Sequence, residues 1–209
     1  MIMYLGNPEF YADLSITLLR GLMGYAISVV LGILIAFSIN HTSLLKNILY
    51  PYLLTLQIIP RISWILIAMI WFPLNSQIVI FIISITIMPT IAINTLEGLE
   101  NIDPSLLEMA KVYKIKGTQI IRNIYLPSIA PYIFSGMKIA LGITWKTVVM
   151  AELLTVQTGL GARMSYAKTS FSTDHILALT VYIIIIGLFF QGVLSRVKAH
   201  FERWKFNEK

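Results

Sequence analysis

The sequence predicts an all-α fold: a polytopic membrane helical bundle of about five transmembrane helices, carrying a polar two-helix loop at one end. Three observations predict it. Of the 209 residues, 57% are hydrophobic and 12% charged, about half the charge of an ordinary soluble domain, and the mean hydropathy is +0.78. No charge occurs from Ile62 to Leu96, a run well beyond the roughly 20 residues that cross a bilayer as a helix. Gly21, Gly24, Ser28 and Gly32 recur every three to four positions, which lines small residues along one helix face and permits close helix packing in lipid.

In chain order, Met1 to Asp13 is short and acidic, and with no basic n-region it is not expected to be a cleavable signal peptide. Leu14 to Ile39 is the first span, and Asn40 to Asn47 a polar turn. Ile48 to Phe72 is the second span, broken by Pro60, which lacks an N–H and frees a carbonyl one turn back. Ile78 to Leu96 is the third, with Pro89 breaking it toward the loop; Ser128 to Leu154 is the fourth. Thr155 to His175 reads as a polar connection, and Ile176 to Ser195 as the fifth span. The basic tail, Arg196 to Lys209, is expected to be helical along the interface, where Trp204 and Phe206 are suited to the boundary. With no repeat or low-complexity segment, residues 1–209 read as one domain.

The loop, DPSLLEMAKVYKIKGTQIIRNIYLP from Asp103 to Pro127, is the one long polar segment between two apolar halves. Asp103 is placed to cap a first helix, with Pro104 at its first position, where a missing N–H costs nothing. Gly117 is expected to break that helix, Thr118 to cap a second and Leu126-Pro127 to end it. Leu106, Leu107 and Ala110, then Ile120, Ile121 and Ile124, give each helix one apolar face. Two readings fit this pattern: an amphipathic loop lying on the bilayer, or a docking element for a soluble partner.

Charge placement orients the chain. With the loop in the cytoplasm, the inner segments hold ten Lys and Arg and the outer segments hold Arg163 and Lys168. That asymmetry predicts an outside N-terminus and a cytoplasmic C-terminus. It also accounts for the net charge of +6 without nucleic acid. The chain has no cysteine, which excludes disulfides, thiol catalysis and Cys-type metal sites. No glycine is followed by lysine, so there is no Walker A phosphate loop. His41, His175 and His200 are isolated, and no HExxH or GxSxG occurs. No catalytic residue or metal site is expected, and the chain is not expected to be an enzyme.

Leu107-Glu108-Met109-Ala110, Gln119-Ile120-Ile121-Arg122 and Leu126-Pro127 resemble the cytoplasmic EAA loop of bacterial ABC-importer permeases. Flanking segments follow in the family's order and spacing. They are Pro60-Arg61-Ile62, Trp71-Phe72, Met88-Pro89-Thr90 with Asn94-Thr95-Leu96-Glu97-Gly98-Leu99, Pro131-Tyr132-Ile133, Gly136-Met137-Lys138-Ile139, Ala151-Glu152 and Gly159-Leu160-Gly161. The pattern, from about Leu14 to Arg196, is most similar to the nitrate, sulfonate and taurine group, which also includes importers of pyrimidine vitamin precursors. There are departures: the family's loop glycine falls on Lys114, a second proline after Pro60 is replaced near Leu66, and Trp-Phe-Gly reads Trp71-Phe72-Pro73. The chain also begins without the leading membrane helix that many relatives carry.

The resemblance implies a permease subunit of an ATP-driven importer in the bacterial inner membrane, surrounded by lipid. Its partners would be two cytoplasmic ATPase subunits carrying ATP and Mg, a second permease copy (most simply a homodimer) and an extracytoplasmic solute-binding protein. The chain itself would bind no cofactor. The coupling loop, residues 99–127, would dock on the ATPase through Leu107, Glu108, Ala110, Lys114, Gly117 and Arg122. Candidates for the translocation pathway are Pro60, Arg61, Pro89, Asn94, Lys146 and Glu152. Each has a plainer reading. Arg61 fits a lining cation or a structural ion pair. Pro89 and Asn94 fit a hinge or a simple kink. Glu152 fits a ligand contact, or a brace for the loop after it. Arg20 and Lys138 are expected to snorkel to the interfaces, and Trp64 and Trp71 to pack. The rival class is a secondary transporter, which needs no coupling loop; a membrane enzyme would need paired catalytic groups, and none is legible.

Overall fold

The structure, a computed structural model, describes residues 8–206, without the side chains of 202–206. It is helical throughout: α1 (Pro8–Asn40), α2 (Ser43–Ile58), α3 (Arg61–Trp71), α4 (Ser76–Glu100), α5 (Pro104–Val112), α6 (Gly117–Ile120), a π-helical turn (Ile121–Tyr125), α7 (Leu126–Thr155), α8 (Leu160–Thr169) and α9 (Thr173–Phe206). The interfacial role expected for Trp204 and Phe206 falls outside the described side chains.

The central helix is α4, whose Ile78, Val79, Ile82, Ile83, Ile87 and Ile91 are fully buried. Lipid tails are as apolar as leucine, so burial alone does not drive helix pairing here; close van der Waals contact does. The small-residue face of α1 supplies it. A Cβ on Gly24 would lie 2.7 Å from Ile83 Cβ, and one on Gly32 2.8 Å from Ile91 Cβ. Between them Ser28 Oγ donates to Gly24 O at 2.7 Å and to Ser84 O at 3.3 Å.

These contacts fix the direction of every long helix. Gly24 meets Ile83 and Gly32 meets Ile91, so α1 and α4 run parallel. At one end Arg20 Nε donates to Ser76 Oγ at 3.0 Å; at the other Lys46 pairs with Glu100 at 2.7 Å. The chain between Asn40 and Ser76 therefore returns across the whole bundle. It does so through α2 and α3, which meet at an angle of 98°. The expected second span is thus two helices rather than one broken rod. Pro60, in extended conformation (ψ 136°), caps α3 and cannot extend α2. In α7, Gly136 packs on Asn94 and Gly98 on Tyr132, so α7 opposes α4. In α9, Phe190 stacks near Trp145 at 5.1 Å and Phe201 near Phe134 at 5.6 Å, so α9 opposes α7. Five crossings result, with the described ends of the chain on opposite sides.

Several local expectations are corrected. Pro89 is buried inside an unbroken α4. The first loop helix ends at Val112, stopped by Lys114 and not by Gly117: Ile115 N–H donates to Ala110 O at 2.9 Å and Lys114 N–H to Lys111 O at 3.1 Å, around a left-handed Lys114 with φ 51°. This is a Schellman stop, and it puts the left-handed residue where the family has glycine. Gly117 opens α6, capped by Lys116 rather than Thr118. Leu126-Pro127 begins α7 rather than ending a helix, because the wider π turn before it accommodates a residue with no N–H to donate. The segment after Thr155 holds α8, which the sequence reading left as a connection.

Candidate functional site

Three groups of residues are set apart by the fold. The first is the loop. Asp103 Oδ1 accepts from Ser105 N–H at 2.9 Å and Ser105 Oγ at 2.7 Å, and those bonds hold its carboxyl below the usual carboxylate range. Ala110 is fully buried and Leu107 half-buried, anchoring α5 beside Ile102, Ile120 and Ile124. The other side of α5 presents Leu106, Met109, Val112 and Tyr113, the last two 77% and 75% exposed. Glu108, Lys114 and Arg122 are also exposed, and nothing lies within 4 Å of a Cβ built on Gly117. From Gly117 to Thr155 the helix runs 39 residues, roughly 58 Å at 1.5 Å per residue, against about 30 Å of hydrocarbon. This rod is therefore longer than the hydrocarbon it crosses, and the outer side of α5, with Val112 and Tyr113, is uncovered among the described residues.

The second group closes the opposite end. Glu152, fully buried in the last turn of α7, accepts at Oε1 from Arg20 Nη1 at 2.9 Å and at Oε2 from Thr17 Oγ1 at 2.8 Å and Gly161 N–H at 3.0 Å. Arg20 also donates to Thr158 O at 2.7 Å and to Thr158 Oγ1 at 2.9 Å. Gly159 adopts φ 105°, a region only glycine enters freely; its N–H donates to Asp13 Oδ1 at 2.8 Å, and Leu160 N–H to Thr17 Oγ1 at 2.8 Å. Asp13 also pairs with Arg163. Every side-chain nitrogen of Arg20 and both oxygens of Glu152 are hydrogen-bonded, as a buried ion pair requires. The bracing reading of Glu152 is the one this geometry supports. Arg20, expected to snorkel, is 4% exposed and paired instead. A groove of about 580 Å³ opens above the brace, with Arg20, Asn75, Ser76, Gln157 and Thr158 in its walls; Glu152 does not reach it.

The brace was legible in part. Thr17 and Arg20 fall on the Gly21–Gly24–Ser28–Gly32 face of α1, so a buried arginine could have been read from spacing. Asp13, Thr158 and Arg163 carry no such signal, since their partners lie 138 to 150 residues away in sequence.

The third group lies in the middle of the span. Gln57 Nε2 donates to Thr90 Oγ1 at 3.3 Å, and Asn94 Nδ2 to Thr90 O at 2.8 Å. Pro89 is buried beside them and Pro60 exposed at the bend. Arg61, half-buried, begins α3 four residues after Gln57. Lys146 is exposed on α7, nine residues before Thr155, about 14 Å inside the outer end. Neither cation has a hydrogen bond or ion pair among the described residues. A charge at the bilayer centre facing lipid costs at least about 2.5 kcal/mol, so these faces suit water or a partner better than hydrocarbon. The structure brings Pro89 and Asn94 together, sets Pro60 and Arg61 one helix away, and leaves Glu152 apart in the brace.

Comparison with known proteins places these features. The family model described as "Binding-protein-dependent transport system inner membrane component" matches residues 28–206. The nitrate import permease protein NrtB of Leptolyngbya laminosa is 30% identical over 193 residues, covering 92% of this chain and 69% of that protein. The bicarbonate transport system permease protein CmpB of Synechococcus elongatus is 31% identical over 190 residues, covering 90% and 66%. Among solved structures, a chain of a bacterial ABC transporter involved in import of the acidic polysaccharide alginate superposes with TM-score 0.76 at 16% identity, covering 95% of this chain and 82% of that one. A chain of the inward-facing MetNI methionine ABC transporter gives 0.70 at 18% identity, covering 95% and 97%.

Proposed function

Since the chain belongs to the binding-protein-dependent transport system inner membrane component family and is an ABC-importer permease in fold and sequence, we propose that it couples ATP hydrolysis on separate subunits to passage of a small polar or anionic solute. The observation that carries the coupling is α5, a capped helix held clear of the bilayer with an unpartnered apolar face. Leu107 and Ala110 root it in the bundle, while Glu108, Lys114, Gly117 and Arg122 frame the face offered to two cytoplasmic ATPase subunits. Those subunits, not this chain, hold ATP and Mg. Their closure moves the loop, and the rod from Gly117 to Thr155 carries that motion into the membrane.

A bundle with a packed centre encloses no channel of its own. In this reading the pathway is lined by Pro60, Arg61, Asn94 and Lys146 and is completed by a second permease copy, most simply an identical one. An extracytoplasmic binding protein delivers the solute, of the nitrate, sulfonate or taurine type or a thiamine pyrimidine precursor. The excess of Lys and Arg at the loop end supports a bacterial inner-membrane protein with that end in the cytoplasm.

The test is a mild-detergent pull-down of tagged chain from its native membrane, read by mass spectrometry. A stoichiometric subunit with a Walker A motif is expected. A well-folded chain that comes down alone would overturn the coupling role of α5 and favour a secondary transporter.

A further inference from the structure

We infer that the transported solute is an anion and that Lys146, with Arg61, supplies the positive charge that selects it; the inference rests on the importer reading above. Both cations sit in the middle of the span, and neither is paired among the described residues. The structural alternative requires a carboxylate at that depth, and the chain has none to offer. Of its ten acidic residues, Glu9 and Asp13 stand at the start of α1, four lie between Glu97 and Glu108 on the end of α4 and the loop, and Asp174 starts α9. Glu202 and Glu208 belong to the tail. The tenth, Glu152, is buried and saturated by Arg20, Thr17 and Gly161.

A second identical copy brings the same acids at the same depths, so dimerisation leaves Arg61 and Lys146 uncompensated and doubles them to four. The register of α4 and α7 places the nearest unsaturated acid, Glu97, about three and a half turns from Lys146: Gly98 packs on Tyr132 and Asn94 on Gly136, which sets Glu97 near residue 133. Cations on a water-lined face within the span, without a fixed counter-ion, favour a mobile one. A neutral cargo would leave that charge unmet at every cycle, whereas an anion satisfies it on entry and leaves on exit.

The experiment uses the complete transporter with its ATPase and binding protein. Small molecules released from the purified complex are identified by mass spectrometry, and their charge at pH 7 is read. A net negative compound is expected; a neutral or cationic one overturns the inference while leaving the importer reading intact. Uptake of that compound is then followed in proteoliposomes. Lys146→Gln and Arg61→Gln should each lower it at least about tenfold, with the ATPase still assembled, and Lys146→Arg should restore at least half. Wild-type uptake by both glutamine variants overturns the assignment even for an anionic cargo. Should no ATPase accompany the chain, the importer reading fails and this inference with it.

Discussion

Lys114 holds a backbone conformation that favours glycine, with φ 51°, because the stop of α5 needs a left-handed residue between Tyr113 and Ile115. An L-residue with a Cβ pays roughly 1–2 kcal/mol for that region, against little for glycine. Lys114→Gly should therefore raise the stability of the purified chain by about 1 kcal/mol, read as a higher midpoint of thermal unfolding in detergent. A lower midpoint would mean that the lysine side chain contributes more than its backbone strain costs. Gly117 offers the contrast: its φ is not positive and its surroundings are open, so neither its backbone nor its packing requires a glycine. Counting back from Leu126-Pro127 puts the position of the family's glycine on Lys114, whose φ is one that glycine adopts freely. What stayed hidden was the turn chemistry, since a lysine in a left-handed stop leaves no trace in composition. Arg20 shows the reverse case, a residue whose spacing carried the answer while its charge suggested the interface.

At the scale of elements, one buried ion pair joins parts that no local signal connects. Arg20 and Glu152, with Thr17, tie α1 to the end of α7, to the start of α4 through Ser76 and to the first turn of α8 through Gly161 and Leu160. The N–H groups at the start of α8, which have no acceptor within their own helix, are met from α1 and α7 and not by its N-cap, Gly159. That is why α8 was unreadable: its ten residues have little apolar face, and its stabilising partners are distant. The long spans were readable because length and hydropathy are local properties, but the right angle between α2 and α3 is set by where α4 begins and not by Pro60 alone. Removing one member of a buried pair strands the other, at a cost of about 3–5 kcal/mol. Arg20→Leu and Glu152→Leu should each lose that much, while the double variant loses less than the sum by more than about 1 kcal/mol. Unfolding of the four proteins in one detergent gives the cycle; additive losses would show that Arg20 and Glu152 act on separate partners.

The whole molecule is decided by the parallel pairing of α1 and α4. Two parallel spans need a return between them, so α2 and α3 together count as a crossing although neither has the length to cross alone. Adding α7 and α9 makes five, and an odd count puts α1 and the end of α9 on opposite sides. Direction is what charge predicts: ten Lys and Arg fall in the loop-end and tail segments of the sequence against Arg20, Arg163 and Lys168 at the brace end, an asymmetry expected of a loop end in the cytoplasm. The chain has no cysteine, so single substitutions report position without background. Ser105→Cys, at the start of α5, should react with a membrane-impermeant maleimide in inverted vesicles and not in intact spheroplasts. Gln157→Cys, at the mouth of the groove above the brace, should do the opposite. Labelling of both from the same side would mean that α7, the one span between them, does not cross. An inverted pattern would take α5 out of reach of any cytoplasmic ATPase, and with it the coupling role of the loop.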